Sequence, residues 1–500
     1  MSNLKPIIEQ SFSQYSAAVI QSRALIDARD GLKPSARQIF YSMLLHKLTY
    51  DKPYKKTMNA VGMAMADYYL HGDSSCEGII MRAGQHFALR YPLVDVKGNG
   101  GSLIESGNWA APRYTESRLS KVTNLLFNDI DKDTIIEWRD SYDNTKQYPG
   151  VLPSKGFYNL CNGTQGIGVG IASSIPQFNL VELNNALIKL IQNPNIDFDE
   201  IYCAPDFATG AVLLNADEVK ESLRNGTGPA CKLRSVVEFD TNERALIVKE
   251  IPYSVYTNTI CGQLEKIIES EENPGIERFN DLTGENPLIK IYLTKKANPD
   301  KVLKYLYKNT SLQYYYGINL TMLDRGKYPR VFGWREALQA HIDHEKDVYR
   351  RGFEYDLNKM KFRVHIIDGL LICIARIEEV IEVVKTSSST AEANARLQKE
   401  FLLDADQAKA VLDLKLSRLA HLEVTKLYGE KNDLLEKISA LEQILGDEIL
   451  FNNELIKGWK DVAAKFGDAR RTKILNILTE NEEEPTEVKN LILSFTNKGG

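Results

Sequence analysis

The sequence predicts an α+β chain of several domains that ends in a long antiparallel helical arm. Three observations carry this expectation. Three short helical segments, followed by Gly-rich turns and short apolar runs, fall within residues 27–102. Strand-like runs such as RALIVKEI and LIKIYL alternate with helical ones from residue 156 to 332. Apolar residues then step by four and three through Phe353, Leu357, Met360, Val364, Ile367, Leu371 and Ile374, the spacing of a coiled-coil seam. At 500 residues, 43% hydrophobic and 26% charged, the chain has material for roughly two to four globular domains.

Residues 1–26 read as an amphipathic helical arm, with Ile7, Ile8, Phe12, Tyr15, Val19 and Ile20 at helical spacing. In 27–44 an Asp30-Gly31 turn precedes a helix with Pro34 in its first turn, and Lys33 and Arg37 lie four apart on one face. A second helix is expected over 55–70. A third, over 71–87, has Asp73 and Ser74 as capping types, and short strands follow in 91–102. This order suits a helix-turn-helix core with a β wing spanning 27–155, in which one helix enters a nucleic-acid groove. Residues 156–332 form an α/β domain. Residues 333–480 form the arm, whose returning seam runs through Leu427, Leu434, Ile438, Leu441 and Leu445, with a small helical head at about 385–425. Residues 481–500 are an acidic linker and one strand.

Net charge is −5, but residues 1–120 carry +4 and the remainder −9, so a polyanion would be bound at one N-terminal site and not along the whole surface. Six scattered cysteines without a Cys-x-x-Cys pair read as free thiols. With no cleavable signal pattern and no apolar run near about 18 residues, the expectation is a cytoplasmic chain. Gly166, Gly168 and Gly170 lack dinucleotide-binding spacing, and no GxxxxGK[ST] occurs. Asp129, Asp131 and Asp133 read as an exposed acidic loop, and His341 and His344 as solvated residues on a polar helix face. No metal site is expected in this chain.

The stretch GNWAAPRYTESRLS (107–120) places small residues before Arg113 and Tyr114, with a helix carrying Glu116, Arg118 and Lys121 expected after them. Small residues admit a polymer backbone, and a guanidinium grips a phosphate through paired N–H donors. A phenol beside it can attack a phosphodiester.

Several stretches together resemble one family, the breakage–reunion (A) subunit of bacterial type IIA DNA topoisomerases (gyrase A and topoisomerase IV A). They are SRALIDARDGLKPSARQIFYSM (22–43), LHGDSS (70–75), LRYPLVDVKGNGGS (89–102), AAPRYTESRLS (110–120), CNGTQGIGVGIASSIPQFNL (161–180), AVLDLKLSRLAHLEVTKL (410–427) and FGDARRTKIL (466–475). The resemblance implies a winged-helix cleavage domain, a tower domain and a coiled-coil arm with a dimerisation head. Tyr114 would be the nucleophile, leaving a 5′-phosphotyrosyl link, and Arg113 would clamp the scissile phosphate. Arg23, Lys33, Arg37, His71 and Arg82 match basic DNA-contacting positions. Ser74 would sit at a helix N-terminus near the cleaved strand, and Ile167 would wedge between base pairs of double-stranded DNA. The family works as an A2B2 complex, a homodimer of A joined to a B-type ATPase/TOPRIM subunit that holds Mg²⁺ and ATP, for ATP-dependent strand passage at the nucleoid. LILSFTNKGG (491–500) resembles the first strand of gyrase A's DNA-wrapping domain, so a truncated gyrase A without wrapping is one alternative. A non-catalytic DNA-architectural protein is another. Ala36 and Gln38 stand where the family has His and Arg, Tyr69 where it has His, and Gly78 where it has an acidic residue used in fluoroquinolone binding. Two DNA contacts are therefore expected to be lost or moved, and drug response to be weak.

Overall fold

The computed structural model describes residues 10–12, 15, 19–413 and 421–475. The expected helical arm over 1–26 lies largely outside the described residues, and the linker and strand of 481–500 lie wholly outside them. The chain forms two compact units. One comprises Met1–Ile130, Ile135–Glu345 and Ile456–Gly500, and the other Asp131–Thr134 and Lys346–Leu455.

The first unit begins with α1 (Pro34–Leu45), α2 (Thr57–Asp67) and α3 (Asp73–Gly84). Pro34 opens α1, where a missing N–H costs nothing. Ile39, Phe40 and Met43 bury its inner face. Beside the helices lies a three-stranded antiparallel sheet in the order β1 (Lys55–Lys56), β3 (Glu116–Leu119), β2 (Val94–Lys97). The segment after Tyr114 is thus a strand and not the expected helix. Thr115, Ser117 and Leu119 are buried while Glu116 and Arg118 are half-exposed. That two-residue alternation, paired on both edges, outweighs a helical spacing of charges.

Arg37 requires a second correction. It is 2% exposed, and its Nε and Nη2 donate to the Asp30 carboxylate at 2.6 and 3.2 Å. Asp30 also accepts the Leu32 N–H at 3.0 Å and the Leu152 N–H at 3.0 Å. Arg37 therefore closes the turn before α1 and presents no donor to a DNA backbone. The basic face expected of Lys33 and Arg37 is split, because α1 starts after Lys33 and turns Arg37 inward.

Farther along, a six-stranded sheet runs in the order Lys473–Ile474, Val212–Leu213, Thr227–Arg234, Gln313–Asn319, Ala172–Ile175, Thr164–Ile167. The last two strands form a hairpin. A separate four-stranded sheet packs Val248, Ile289 and Ile291 against Ile260 and Leu264 of helix Thr257–Ile268 and Val302 and Leu306 of helix Pro299–Asn309. Arg90, 1% exposed, donates to Asp206 at 2.8 Å and to Asp468 at 2.6 Å, so the end of this unit is tied to its beginning.

His341 and His344 are not solvated: both are buried, on the same helix as Glu345. His341 stacks on Tyr158 with centroids 4.0 Å apart and donates Nδ1–H to the Arg29 carbonyl at 2.7 Å, while His344 donates Nε2–H to the Leu152 carbonyl at 2.8 Å. Glu345 accepts from the Gly156 N–H and from the Trp459 indole. Burial pushes Glu345 up to about 8, against the two N–H donors, and pushes His341 down to about 3 and His344 in the same direction.

In the second unit, residues 346–375 of the 42-residue helix Trp334–Ala375 supply the expected seam, with Ile367 buried and Phe353, Leu357 and Met360 half-buried. Helix His421–Gly446 returns antiparallel to it, cross-linked by Arg363–Glu430 at 2.7 Å, Lys431–Asp368 at 2.7 Å and Lys361–Glu442 at 2.6 Å. Between them Ile377–Thr386, Thr390–Phe401 and Ala405–Leu412 enclose Val380, Val383, Leu397 and Phe401. Ser389 caps the second of these helices and Asp404 the third, the latter with Gln407 in a capping box.

Two outcomes follow. Arg37→Met leaves Asp30 charged and buried, and is expected to destabilise the fold by about 3–5 kcal/mol in denaturant unfolding. A stable variant that only binds DNA less tightly would contradict the burial argument. From about pH 6.5 to 8 the folded chain keeps a Glu345 proton that the unfolded chain, titrating near 4.5, has lost, so stability should fall as pH rises. Below about pH 6.5 the unfolded chain takes up protons that the buried histidines refuse, so stability should fall with acid as well. Thermal unfolding of Glu345→Gln should show the alkaline slope flattened and the acid limb kept.

Candidate functional site

Tyr114 stands on a loop pinned to the start of α2. A helix leaves its first N–H groups unpaired. Here the Thr57 N–H donates to the Thr115 carbonyl at 3.0 Å and the Met58 N–H to the Pro112 carbonyl at 3.0 Å. The Thr115 hydroxyl adds a bond to the Thr57 hydroxyl at 2.9 Å, and the Tyr114 N–H closes a turn onto the Ala111 carbonyl at 2.9 Å. The backbone is held from both sides while the phenol remains 65% exposed. Arg113 lies over the Tyr114 ring, its guanidinium carbon 4.7 Å from the centroid, and among the described residues no carboxylate pairs with it. An exposed phenol and an unpaired guanidinium, side by side on a fixed backbone, can meet one phosphate together.

A turn braces this loop. Gly98 takes a φ of +92°, which favours glycine, and lies beside Tyr114 and Thr115, where a β-carbon would be in ordinary contact at 3.6–3.7 Å. The Ala110 N–H donates to the Asn99 carbonyl at 3.0 Å, and Gln85 holds the Gly100 carbonyl at 2.7 Å. Trp109 crosses to α3, where a β-carbon at Gly78 would stand 3.7 Å from its ring. Burial, with the Asp73 charge, raises the neighbouring Glu77 carboxyl, and the Trp109 indole N–H partly offsets the rise. Neither the docking through Thr57 and Thr115 nor the Trp109 contact follows from the motif itself. The only sequence signal for the first is the alternation of buried and half-exposed residues in TESRL.

Ser74 is exposed in the first turn of α3, its N–H bonded to Asp73 at 2.8 Å. Gly72 takes the cap position in place of Asp73 or Ser74. His71 is exposed just before α3, edge-on to Tyr69 with centroids 5.3 Å apart, and the Tyr69 hydroxyl is bonded to that of Ser75 at 2.8 Å. Arg82 is exposed in the last turn of α3. Burial and the nearby Arg82 charge lower the ammonium of Lys33, which donates to the Gln165 carbonyl at 2.6 Å. Gln165 belongs to the hairpin whose tip carries Ile167, 88% exposed. Arg23 is exposed on the Ile20–Ala24 turn, which packs against that hairpin at Gly166 and Gly168. The structure thus joins Lys33, Arg82 and the Ile167 hairpin, and separately Arg113 with Tyr114. Arg37 belongs to neither group. Among the described residues no cluster of His, Cys, Asp or Glu could hold a metal ion.

A family model for the A subunit of DNA gyrase and topoisomerase IV matches residues 23–460. The chain is 39% identical over 510 aligned residues to the A subunit of DNA gyrase from Staphylococcus epidermidis, covering 99% of this chain and 56% of that protein. It is 39% identical over 509 residues to its counterpart from Staphylococcus aureus (99% and 57%) and 37% identical over 500 residues to that from Mycoplasma genitalium (98% and 59%). The chain therefore spans a little over half the length of the curated relatives it matches. With a family model covering most of its length and relatives of this similarity, the chain belongs to the family of DNA gyrase and topoisomerase IV A subunits.

Proposed function

We propose that this chain is the DNA breakage–reunion component of a type IIA topoisomerase, an isomerase. The observation that carries the reading is the exposed Tyr114 phenol beside the unpaired Arg113 guanidinium on a doubly pinned loop. The Tyr114 oxygen attacks a backbone phosphorus of double-stranded DNA. The P–O3′ bond breaks, the phenol proton leaves, the 3′ oxygen departs as a hydroxyl, and a 5′-phosphotyrosyl ester remains. Reversal by the same 3′-hydroxyl reseals the strand without a further energy source. Arg113 supplies paired donors to the phosphate oxygens as charge builds on them.

In this reading residues 27–155 are a winged-helix cleavage domain, 156–332 a tower domain, and 333–480 a coiled-coil arm whose head joins two copies. Arg23, His71, Ser74 and Arg82 line the DNA path, and Ile167 enters a base step from the hairpin that Lys33 holds through the Gln165 carbonyl. The acidic residue nearest Tyr114 in sequence, Glu116, is ion-paired with Lys56 at 3.3 Å, and no metal-holding cluster is present among the described residues. By the chain's likeness to the family, Mg²⁺ and ATP are assigned to a B-type ATPase/TOPRIM partner in an A2B2 complex, which performs strand passage at the nucleoid in the cytoplasm. No described helix is long and apolar enough to cross a membrane.

Covalent trapping tests the proposal. With a B-type partner, Mg²⁺ and supercoiled plasmid, a detergent quench should release protein-linked DNA from the parent and none from Tyr114→Phe. Arg113→Ala should cleave on the order of a hundredfold more slowly. DNA bound but never linked to the parent would favour an architectural protein. Fluoroquinolone-stimulated cleavage is expected to be weak, because position 78 offers no carboxylate and Trp109 covers it. Ordinary stimulation at low drug concentration would refute that expectation.

A further inference from the structure

A two-stranded ribbon alone has no fixed angle in water, yet the hairpin carrying Ile167 is held on several sides. Its outer strand is gripped by Lys33, whose Nζ donates to the Gln165 carbonyl at 2.6 Å, two residues before the tip. Lys33 is itself fixed, since its own carbonyl accepts the Arg37 N–H at 3.1 Å and Arg37 is buried on Asp30. Beneath the hairpin lies the Ile20–Ala24 turn. A β-carbon at Gly166 would stand 2.1 Å from the Ala24 carbonyl oxygen, and one at Gly168 would stand 3.3 Å from the Ala24 β-carbon. The inner strand is held by Asn319, whose amide donates to the Ala172 carbonyl at 2.8 Å.

A lysine that served only to grip a phosphate would need no acceptor within the protein. Lys33 is instead half-buried along its length and commits its ammonium to a backbone carbonyl in an exposed hydrogen bond, with the cation of Arg82 nearby. A charge-assisted hydrogen bond of this kind fixes the position of the carbonyl that accepts it.

We propose that Lys33 is a positioning residue whose ammonium, on the Gln165 carbonyl and with the Ile20–Ala24 turn packed under Gly166, sets the height and angle at which Ile167 enters DNA. The inference rests on the reading of this chain as a DNA-bending cleavage protein.

The test uses the full chain and a duplex of about 30 bp labelled at both ends, with bending read by energy transfer. Affinity is measured in parallel as a function of salt. Lys33→Met should lower the bent-to-straight ratio about tenfold while leaving the slope of log affinity against log salt unchanged, and Lys33→Arg should restore the bend. A phosphate contact would behave differently, its loss reducing that slope by about one unit. A reduced slope, with or without a change in bending, would overturn the proposal. Ile167→Ala separates the two levels of the argument. If it straightens the DNA and Lys33→Met does not, the brace is wrong and the wedge stands. If it bends DNA as the parent does, the wedge reading fails first.

Discussion

The first unit depends on one buried guanidinium. Arg90 makes two hydrogen bonds to Asp206, one to Asp468 at 2.6 Å and one to the Ala469 carbonyl at 2.9 Å. Asp206 in turn accepts the Arg471 and Thr472 N–H groups at 2.8 Å each. Beside it, the Tyr91 hydroxyl donates to Asp468 at 3.0 Å and accepts the Leu180 N–H at 2.8 Å. Asn162 bonds the Tyr91 backbone in both directions, at 2.7 and 3.0 Å. The strand leading to the Tyr114 loop, the entry to the Ile167 hairpin and the end of the unit are thereby locked together. Such a network need not be more stabilising than apolar packing, but breaking one member leaves a buried charge unpaired, which disfavours any other arrangement.

That frame explains why the candidate site can be spare. Tyr114 and Arg113 need no buried network of their own, because the loop bearing them satisfies the open end of α2 and is backed by the Gly98–Gly101 turn. Rigidity comes from backbone hydrogen bonds and reactivity from exposed side chains. Charge follows the same division. Within KPSAR, Lys33 faces the hairpin and Arg37 faces Asp30, so two cations four residues apart have different work.

The core around Glu345 shows a further use of polar groups. One helix turn brings His341, His344 and Glu345 inside, where each reaches a backbone group or an indole of another segment. These contacts fix residues 334–345 within the first unit, and they make stability depend on pH at both ends of the neutral range.

Much of the fold was legible because its causes are local. The Pro34 start and the four-and-three steps of the long helix are set by a few neighbouring residues. The Arg113–Tyr114 pair and Ile167 carry little signal alone and are assigned through the family resemblance of the motifs around them, and only the hairpin shows Ile167 exposed. What the sequence could not decide was which way a polar residue faces. Five residues around Glu116 and Arg118 fit one face of a helix as well as one edge of a sheet, and only pairing with β1 and β2 selects the strand. A three-residue spacing puts His341 and His344 on one helix face without saying whether water or Tyr158 covers it. Arg37 is basic in any reading, but its burial depends on Asp30 and on Leu152, far along the chain. Periodicity determines which residues share a face. Only contacts between distant segments determine what that face meets.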